Sequence, residues 1–246
     1  MADNPIHRAE MIDLLSKLLV GAGRKMESAQ DWARQLPRTP LAAEFLDQLY
    51  AEWPEVSPPD ALGEDVAAEV RQRVSAWHGG WPHLWGHILR VTGAAVMIAE
   101  ETDIDSSLAY LTGICHDVGK LDEEITGEAH EELGAAFVRR VLKGRLSQEQ
   151  IDLIQGAILK ESDGALADLL HDADKLDKIG AAGVMRRVST STDPGWVAAA
   201  LERVNDDWRA FPRMHFEWSH DLAASKKNFL DWFLPSAQDV VRDAEG

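Results

Sequence analysis

Apolar residues recur three and four positions apart along most of the chain, which is the spacing of amphipathic α-helices. The segments with this spacing are residues 6–23, 41–53, 65–77, 87–101, 106–118, 131–142, 147–159 and 196–208. Ser147 precedes Gln150 by three residues and Asp60 precedes the apolar run from Leu62, and both positions are typical of helix N-caps. Runs that alternate between apolar and polar residues, as strands do, are missing from the sequence. The pattern therefore predicts an all-α fold.

The stretch PEVSPPDALG, from Pro54 to Gly63, is the best candidate for a boundary. It contains three prolines and one glycine, and these residues disfavour helix. We therefore predict an N-terminal helical extension at residues 1–60 and a main domain at residues 61–246. Since about sixty residues bury only a marginal core alone, the extension is expected to pack onto the main domain.

Charge and cysteine content narrow the possible partners. The chain has 25 Lys and Arg against 42 Asp and Glu, a formal net charge of -17, which repels nucleic-acid backbones and anionic membranes. We therefore expect no nucleic-acid polymer and no membrane among its partners, and a small anionic substrate would need cations gathered locally. The single cysteine, Cys115, and the polar N-terminal segment predict a cytoplasmic protein. An oligomer is compatible with the sequence.

Histidines and carboxylates collect in four short pieces of the chain. These pieces hold His83 with His87, His116 with Asp117, His130 alone, and Asp172, Asp174 and Asp177 beside Lys175 and Lys178. Mixed imidazole and carboxylate ligands suit divalent ions such as Mn²⁺, Fe²⁺, Co²⁺, Ni²⁺ or Zn²⁺. Such an ion lowers the pKa of a bound water, so this composition is typical of a hydrolytic centre. The doublet His171–Asp172 lies too close to Asp174 to predict an independent site.

The order of these pieces along the chain resembles the motif order of a known protein family. A histidine in HILRV, the doublet in GICHDVGK and an aspartate in HDADKLDKIG together resemble the HD-domain superfamily of metal-dependent phosphohydrolases, from about Trp77 to Gly183. The resemblance implies a helical bundle around a metal site and activity on phosphate esters, often of nucleotides. By position, the implied metal ligands are His87, His116, Asp117 and Asp174. The implied cofactor is one divalent ion, which is Mn²⁺, Fe²⁺, Co²⁺, Ni²⁺, Zn²⁺ or Mg²⁺.

Further roles follow for residues beside these ligands. Asp117 is predicted to orient the nucleophilic water as well as to bind the metal. Lys120 lies one turn beyond the doublet and Arg90 three residues beyond His87, so both are expected to contact phosphate oxygens. His83 and His130 are expected to face the substrate. An ordinary helix-face histidine explains His83 equally well, and for His130 the alternative is a metal ligand.

Lys160 marks a departure from the resembled pattern. Relatives with two metals carry further histidines, and His130 matches the first of these positions. The second position, in AILKESDG, holds Lys160 and Glu161. Because a charged lysine is a poor metal ligand, this difference favours one metal, with Lys160 supplying positive charge to the phosphate.

The leading hypothesis is therefore a metal-dependent phosphohydrolase acting on a nucleotide or a small phosphorylated metabolite. One alternative is an HD-type iron-dependent oxygenase, against which Lys160 argues. Another is a non-catalytic module that binds metal or nucleotide, against which the intact ligand set argues. Since His7 is the only candidate ligand before residue 60, we expect residues 1–60 to be dispensable for metal binding.

Overall fold

The computed structural model describes residues 5–21, 28–53, 56–76, 84–160, 164–191, 193–211 and 213–245. These ranges contain α-helices and no β-strand, which confirms the predicted all-α fold. The helices are α1 (Pro5–Val20), α2 (Ala29–Gln35), α3 (Pro40–Glu52), α4 (Ala61–Ala76), α5 (Leu84–Glu100), α6 (Ser106–Cys115), α7 (Lys120–Thr126), α8 (His130–Leu142), α9 (Gln148–Leu159), α10 (Ala165–Leu176), α11 (Gly180–Val188), α12 (Trp196–Arg209) and α13 (Glu217–Glu245).

The helices begin where the sequence supplies caps. The Ser147 hydroxyl accepts the N–H of Gln150, whose side chain in turn binds the Ser147 N–H, so α9 starts with a capping box. The Asp60 carboxylate accepts the N–H of Gly63 at 2.8 Å at the start of α4. Both predicted N-caps are therefore confirmed. None of the described helices is both long enough and apolar enough to span a bilayer.

The buried apolar side chains fall into two large clusters. Helices α4 to α10 surround one of them, in which Ile88, Ile114 and Ile154 are fully buried. Helices α1 to α3 form the other together with α11, α12 and α13, with Trp32 and Phe233 fully buried. The N-terminal helices thus share a core with the C-terminal ones. The division between residues 1–60 and 61–246 stays a prediction, and residues 54–55 of its boundary lie outside the described ranges.

Helix α5 is the central element, because almost every face of it is buried. It packs closely against α6, since a Cβ added to Gly113 would lie 2.7 Å from the Cα of Thr92. It also packs against α10. After α10 the chain turns into α11 through Gly180, whose φ of 75° is a conformation that favours glycine. The side chains of α5, the end of α6 and α10 consequently meet in the interior.

Candidate metal centre

Four predicted ligands converge in the interior. His87 lies on α5, His116 and Asp117 follow α6 directly, and Asp174 lies on α10. The Nε2 atom of His87 is 3.2 Å from Nε2 of His116, 3.1 Å from Oδ2 of Asp117 and 3.6 Å from Oδ1 of Asp174. His116 Nε2 is 3.5 Å from the same Asp117 oxygen. The ligand atoms of His87, His116 and Asp174 thus all lie within 4.8 Å of one another, and Asp117 adds an oxygen beside both imidazoles.

The Nδ1 atoms of both imidazoles already have hydrogen-bond partners. His116 Nδ1 lies 2.7 Å from the carbonyl oxygen of Gly113, and because a carbonyl only accepts, this nitrogen carries the proton. His87 Nδ1 lies 2.6 Å from the Asp177 carboxylate, which also accepts. The Nε2 atoms of both rings therefore face each other and the carboxylates of Asp117 and Asp174. Two imidazole nitrogens beside carboxylate oxygens are a ligand set that fits a divalent metal.

The charges at the centre support this arrangement. Burial alone would raise the pKa of Asp117, but His116 and His87 hold it well below its usual range. Burial opposes ionisation of Asp174 too, and the neighbouring Lys178 and imidazoles lower its pKa. Burial would lower the pKa of His116, but the two carboxylates raise it. Both carboxylates are thus anionic at neutral pH, as metal ligands must be.

Asp177, which the sequence shows beside Asp174 without a role of its own, lies behind a candidate metal ligand. Its carboxylate is buried, and it accepts from Nε and Nη2 of Arg90 and from Nη1 of Arg186 at 3.3 Å as well as from His87. A carboxylate behind a metal-binding histidine fixes the tautomer and the orientation of the ring. The sequence shows only that Asp177 is one of several clustered carboxylates, and no local spacing indicates that it pairs with a histidine 90 positions earlier.

Arg90 does not take the place predicted for it. It is 2% exposed, its guanidinium binds Asp177, and it lies over the indole of Trp53 at 4.5 Å from the ring centroid. These contacts direct Arg90 to the carboxylate and leave it unable to reach a phosphate in the cavity. The expected phosphate contact is therefore corrected: Arg90 supports the residue that orients His87.

A cavity of about 580 Å³ opens beside the ligand cluster. Its lining includes His116, Asp117, Lys120, His130, Glu131, Lys160, Asp168, His171, Asp174, Lys175, Lys178, Arg186 and His215. Lys120, Lys160 and His130 thus lie where the sequence analysis expected them, around one cavity. His83 lies outside the described residues.

Each of these three side chains also has a protein partner. The Lys120 ammonium binds Asp117 Oδ2, and the Lys160 ammonium binds Glu131 Oε1 at 2.8 Å. His130 Nε2 is 3.9 Å from Asp117 Oδ1, the carboxylate oxygen turned away from His87. Asp117 therefore faces the ligand cluster with one oxygen and His130 with the other.

The doublet His171–Asp172, set aside in the sequence analysis, has a definite place. Asp172 is fully buried and accepts the backbone N–H groups of His215 and Phe216 at 2.8 and 3.2 Å, and His215 Nδ1 at 2.8 Å. The rings of His171 and His215 meet edge to face with centroids 5.1 Å apart. Asp172 thus anchors the segment before α13 to α10. No spacing in the sequence relates His215 to α10, so this contact could not be predicted.

Lys175 and Lys178 add positive charge to the cavity wall. Lys178 binds Asp174 at 2.8 Å. Burial, together with the charge of Lys178, lowers the pKa of Lys175. No carboxylate of the described residues forms an ion pair with Lys175. Lys175 is therefore the cavity lysine whose charge is least compensated by the protein.

Residues 84–179 match the model of the HD domain, in agreement with the resemblance found in the sequence. This segment contains all four candidate ligands together with Arg90 and Asp177. A curated relative from Clostridium beijerinckii, an uncharacterized protein, is 30% identical over 103 residues. That match covers 39% of this chain and 66% of the relative, just under two thirds of its length.

Solved structures share the fold. A protein from an uncultured Thermotogales bacterium, described as a predicted HD superfamily hydrolase, has 23% identity and a TM-score of 0.53, covering 70% of this chain and 88% of its own. Bacillus subtilis YpgQ has 18% identity and a TM-score of 0.52, covering 72% and 93%. YpgQ has also been solved in complex with ADP, at 19% identity, a TM-score of 0.51 and coverage of 72% and 94%. At these identities the likeness establishes the all-helical HD fold.

Proposed function

We propose that this protein is a metal-dependent phosphohydrolase that cleaves a phosphate ester of a nucleotide or a small phosphorylated metabolite. The observation that carries the proposal is the charge of the cavity. In a chain of net charge -17, the wall beside the ligand cluster holds Lys120, Lys160, Lys175, Lys178 and Arg186. The same lining holds four carboxylates, two of them candidate metal ligands, so that positive side chains gather here in an otherwise repulsive field, and this favours an anionic substrate.

His87, His116, Asp117 and Asp174 would hold one divalent ion. An ion held by these residues would lower the pKa of a bound water and so make hydroxide available near neutral pH. A second ion is not part of the proposal, because Lys160 stands at the cavity where a further histidine would be needed. Its ammonium offsets substrate charge instead.

The chain's own residues account for the remaining requirements. Asp117 orients the attacking water, and its Oδ1 has His130 within 3.9 Å as a second polar neighbour. Lys175 contacts the phosphate, because its charge has no carboxylate partner among the described residues. Lys120 and Lys178 hold the ligand carboxylates and add positive potential. Together these groups neutralise the charge that develops on the phosphate oxygens in the transition state.

Nucleotides are the first substrates to test. YpgQ, which shares the fold, has been solved with ADP. A cavity of about 580 Å³ lies within the range of small-ligand sites and has room for a phosphate and the group attached to it.

The test is a substrate panel with defined metals. The protein is stripped with a chelator, reloaded singly with Mn²⁺, Fe²⁺, Co²⁺, Ni²⁺, Zn²⁺ or Mg²⁺, and assayed on nucleotides, phosphomonoesters and phosphodiesters. We expect metal-dependent hydrolysis that Asp117→Asn abolishes and that Asp152→Asn, on the surface of α9, leaves unchanged. Metal binding without turnover of any phosphate compound would indicate the binding module. Two bound irons with oxygen consumption would indicate the oxygenase.

A further inference from the structure

Two consecutive residues at the end of α3 contact Arg90 and the start of α11, which both adjoin Asp177 behind His87. Glu52 and Trp53 are 4% and 5% exposed, and both lie outside residues 84–179, which match the HD domain. They extend from the N-terminal helices toward α5 and α11. Neither residue offers a ligand atom to the cluster, so any effect on the metal must pass through other side chains.

Trp53 holds Arg90. The indole face covers the guanidinium at 4.5 Å, and Nη1 of Arg90 is buried without a hydrogen-bond partner. The guanidinium therefore has the Asp177 carboxylate on its Nε and Nη2 atoms and the indole on its face. Tryptophan gives the strongest cation–π attraction, and the attraction grows when water is excluded. The ring thus fixes the plane in which Arg90 meets Asp177.

Glu52 holds the start of α11. Its carboxylate accepts the N–H groups of Ala181 and Ala182 at 2.9 and 2.8 Å and the ammonium of Lys226 at 2.8 Å. The packing is close, since a Cβ added to Gly180 would lie 2.2 Å from Glu52 Oε1. Glu52 therefore fixes the turn between α10 and α11. Asp177 lies at one side of that turn.

Asp177 joins these two supports to the metal centre. It receives Arg90 from α5 and Arg186 from α11, and it binds His87 Nδ1 at 2.6 Å. We propose that Glu52 and Trp53 are positioning residues for His87, acting through Arg90, α11 and the Asp177 carboxylate. The inference rests on the proposed metal site. It also reverses the expectation from sequence that residues 1–60 are dispensable for metal binding.

The experiment compares two tryptophans of the same core in the full-length protein. Trp32 and Trp53 both belong to the cluster of α1 to α3 and α11 to α13, and it is Trp53 that covers Arg90. Mn²⁺ affinity of the chelator-treated protein is measured by calorimetry for the parent, Trp53→Leu, Trp53→Phe, Glu52→Gln and the control Trp32→Leu. All measurements are made below the unfolding transition of the least stable variant.

We expect Trp53→Leu and Glu52→Gln to weaken Mn²⁺ binding by about three- to ten-fold, less than the roughly ten- to hundred-fold effects of residues that contact a metal ligand directly, because both act through further side chains. Trp53→Phe should recover most of the affinity because it restores an aromatic face. Trp32→Leu should lower the unfolding temperature without changing affinity. If both Trp53→Leu and Glu52→Gln bind Mn²⁺ as the parent does, or no more weakly than Trp32→Leu, the inference is wrong.

A second measurement separates this inference from the proposed function. The imidazole ¹⁵N spectrum of the metal-free protein reports the proton on His87 Nδ1 without any metal. Trp53→Leu should perturb that signal and Trp32→Leu should not, and an unperturbed signal overturns the positioning role. A parent that binds none of the divalent ions refutes the proposed function instead. If Glu52→Gln does not fold, the tryptophan pair alone decides.

Discussion

Glu52 and Lys226 form an ion pair of 2.8 Å in the interior, although 174 positions separate them in the sequence. Their exposed fractions are 4% and 2%, so neither charge reaches water. Lys226 also donates to the carbonyl of Ile179 at 3.3 Å, and Glu52 accepts from the first turn of α11. The pair joins α3, α11 and α13 at one point. Removing one partner of such a pair leaves the other charge buried and uncompensated.

We therefore predict that Lys226→Met lowers the free energy of unfolding by about 3–5 kcal/mol, as expected for breaking a buried pair. Urea unfolding followed by circular dichroism measures the change. The neighbouring Lys227→Met is the matched control, because Lys227 is exposed and its pair with Asp231 lies at the surface. Equal stabilities of the two variants would show that the buried pair does not hold the helices together.

Asp177→Asn should weaken divalent-metal binding by about ten- to a hundred-fold, the usual effect of removing a carboxylate behind a metal-binding histidine. The amide leaves Arg90 and Arg186 without a compensating charge and can turn its NH₂ group toward His87. Titration with Mn²⁺ in a calorimeter measures the affinity. Asp168→Asn, on α10 and at the cavity, is the control and should keep the parent's affinity. Parent-like binding by Asp177→Asn would rule out the orienting role.

The pH dependence should have opposite signs for metal affinity and for metal-free stability. In the metal-free protein, burial lowers the pKa of His116 but Asp117 and Asp174 raise it above its ordinary value. A raised pKa in the folded state stabilises the metal-free protein below about pH 6.5, the pKa of an unfolded histidine. That stabilisation is lost as the pH rises through the folded-state pKa. The metal must displace the same proton, so its affinity should increase over the same range.

Thermal unfolding of the metal-free protein and Mn²⁺ titration, both between pH 5.5 and 8.5, test whether stability falls and metal affinity rises with pH. His116→Gln is the control for stability, because it removes the titrating ring and should flatten the stability profile above pH 6, whereas its metal affinity should be weak at every pH because a ligand is lost. Metal affinity that falls as the pH rises in this window would contradict the assignment of His116 as a ligand.

The parts of this structure that the sequence predicted depend on local spacing. The helices follow from apolar periodicity, and the convergence of His87, His116, Asp117 and Asp174 follows from a motif whose order is read directly. Arg90 was misplaced because its partner Asp177 lies 87 residues away and its second contact, Trp53, lies in another core. Local patterns identify a side chain that can form polar contacts. Its partner on a distant helix is determined by how the helices pack.

The sequence also did not show that the N-terminal and C-terminal helices share a core, because this contact depends on packing between distant segments. The amphipathic faces of α1 and α3 indicate that each must be covered, but they do not say by which helix. In the structure, Phe45 of α3 packs against Phe229 and Phe233 of α13, with ring centroids 5.8 and 5.7 Å apart. Aromatic residues in both segments were visible in the sequence, and their pairing was not.

Lys160 combines two features that one substitution series can separate. It ends α9 in the left-handed conformation with φ of 59°, which strains any residue with a Cβ. Its side chain is 71% exposed and donates to Glu131 at the cavity. Backbone strain affects stability, whereas the ammonium affects an anionic substrate. Lys160→Ala and Lys160→Gly both remove the ammonium, and Lys160→Gly alone relieves the strain.

We predict that both variants keep the parent's metal content and lose about ten- to a thousand-fold in kcat/KM, the scale of losing one charged transition-state stabiliser. Lys160→Gly should be more stable than Lys160→Ala by about 1 kcal/mol, because glycine adopts positive φ freely. Steady-state kinetics on the best substrate, metal analysis and urea unfolding give the three readouts. Glu131→Gln is the control, since it removes the partner of Lys160 and leaves the ammonium in the cavity. If Lys160→Ala and Lys160→Gly hydrolyse the substrate at the parent's rate, Lys160 caps a helix and takes no part in binding the phosphate.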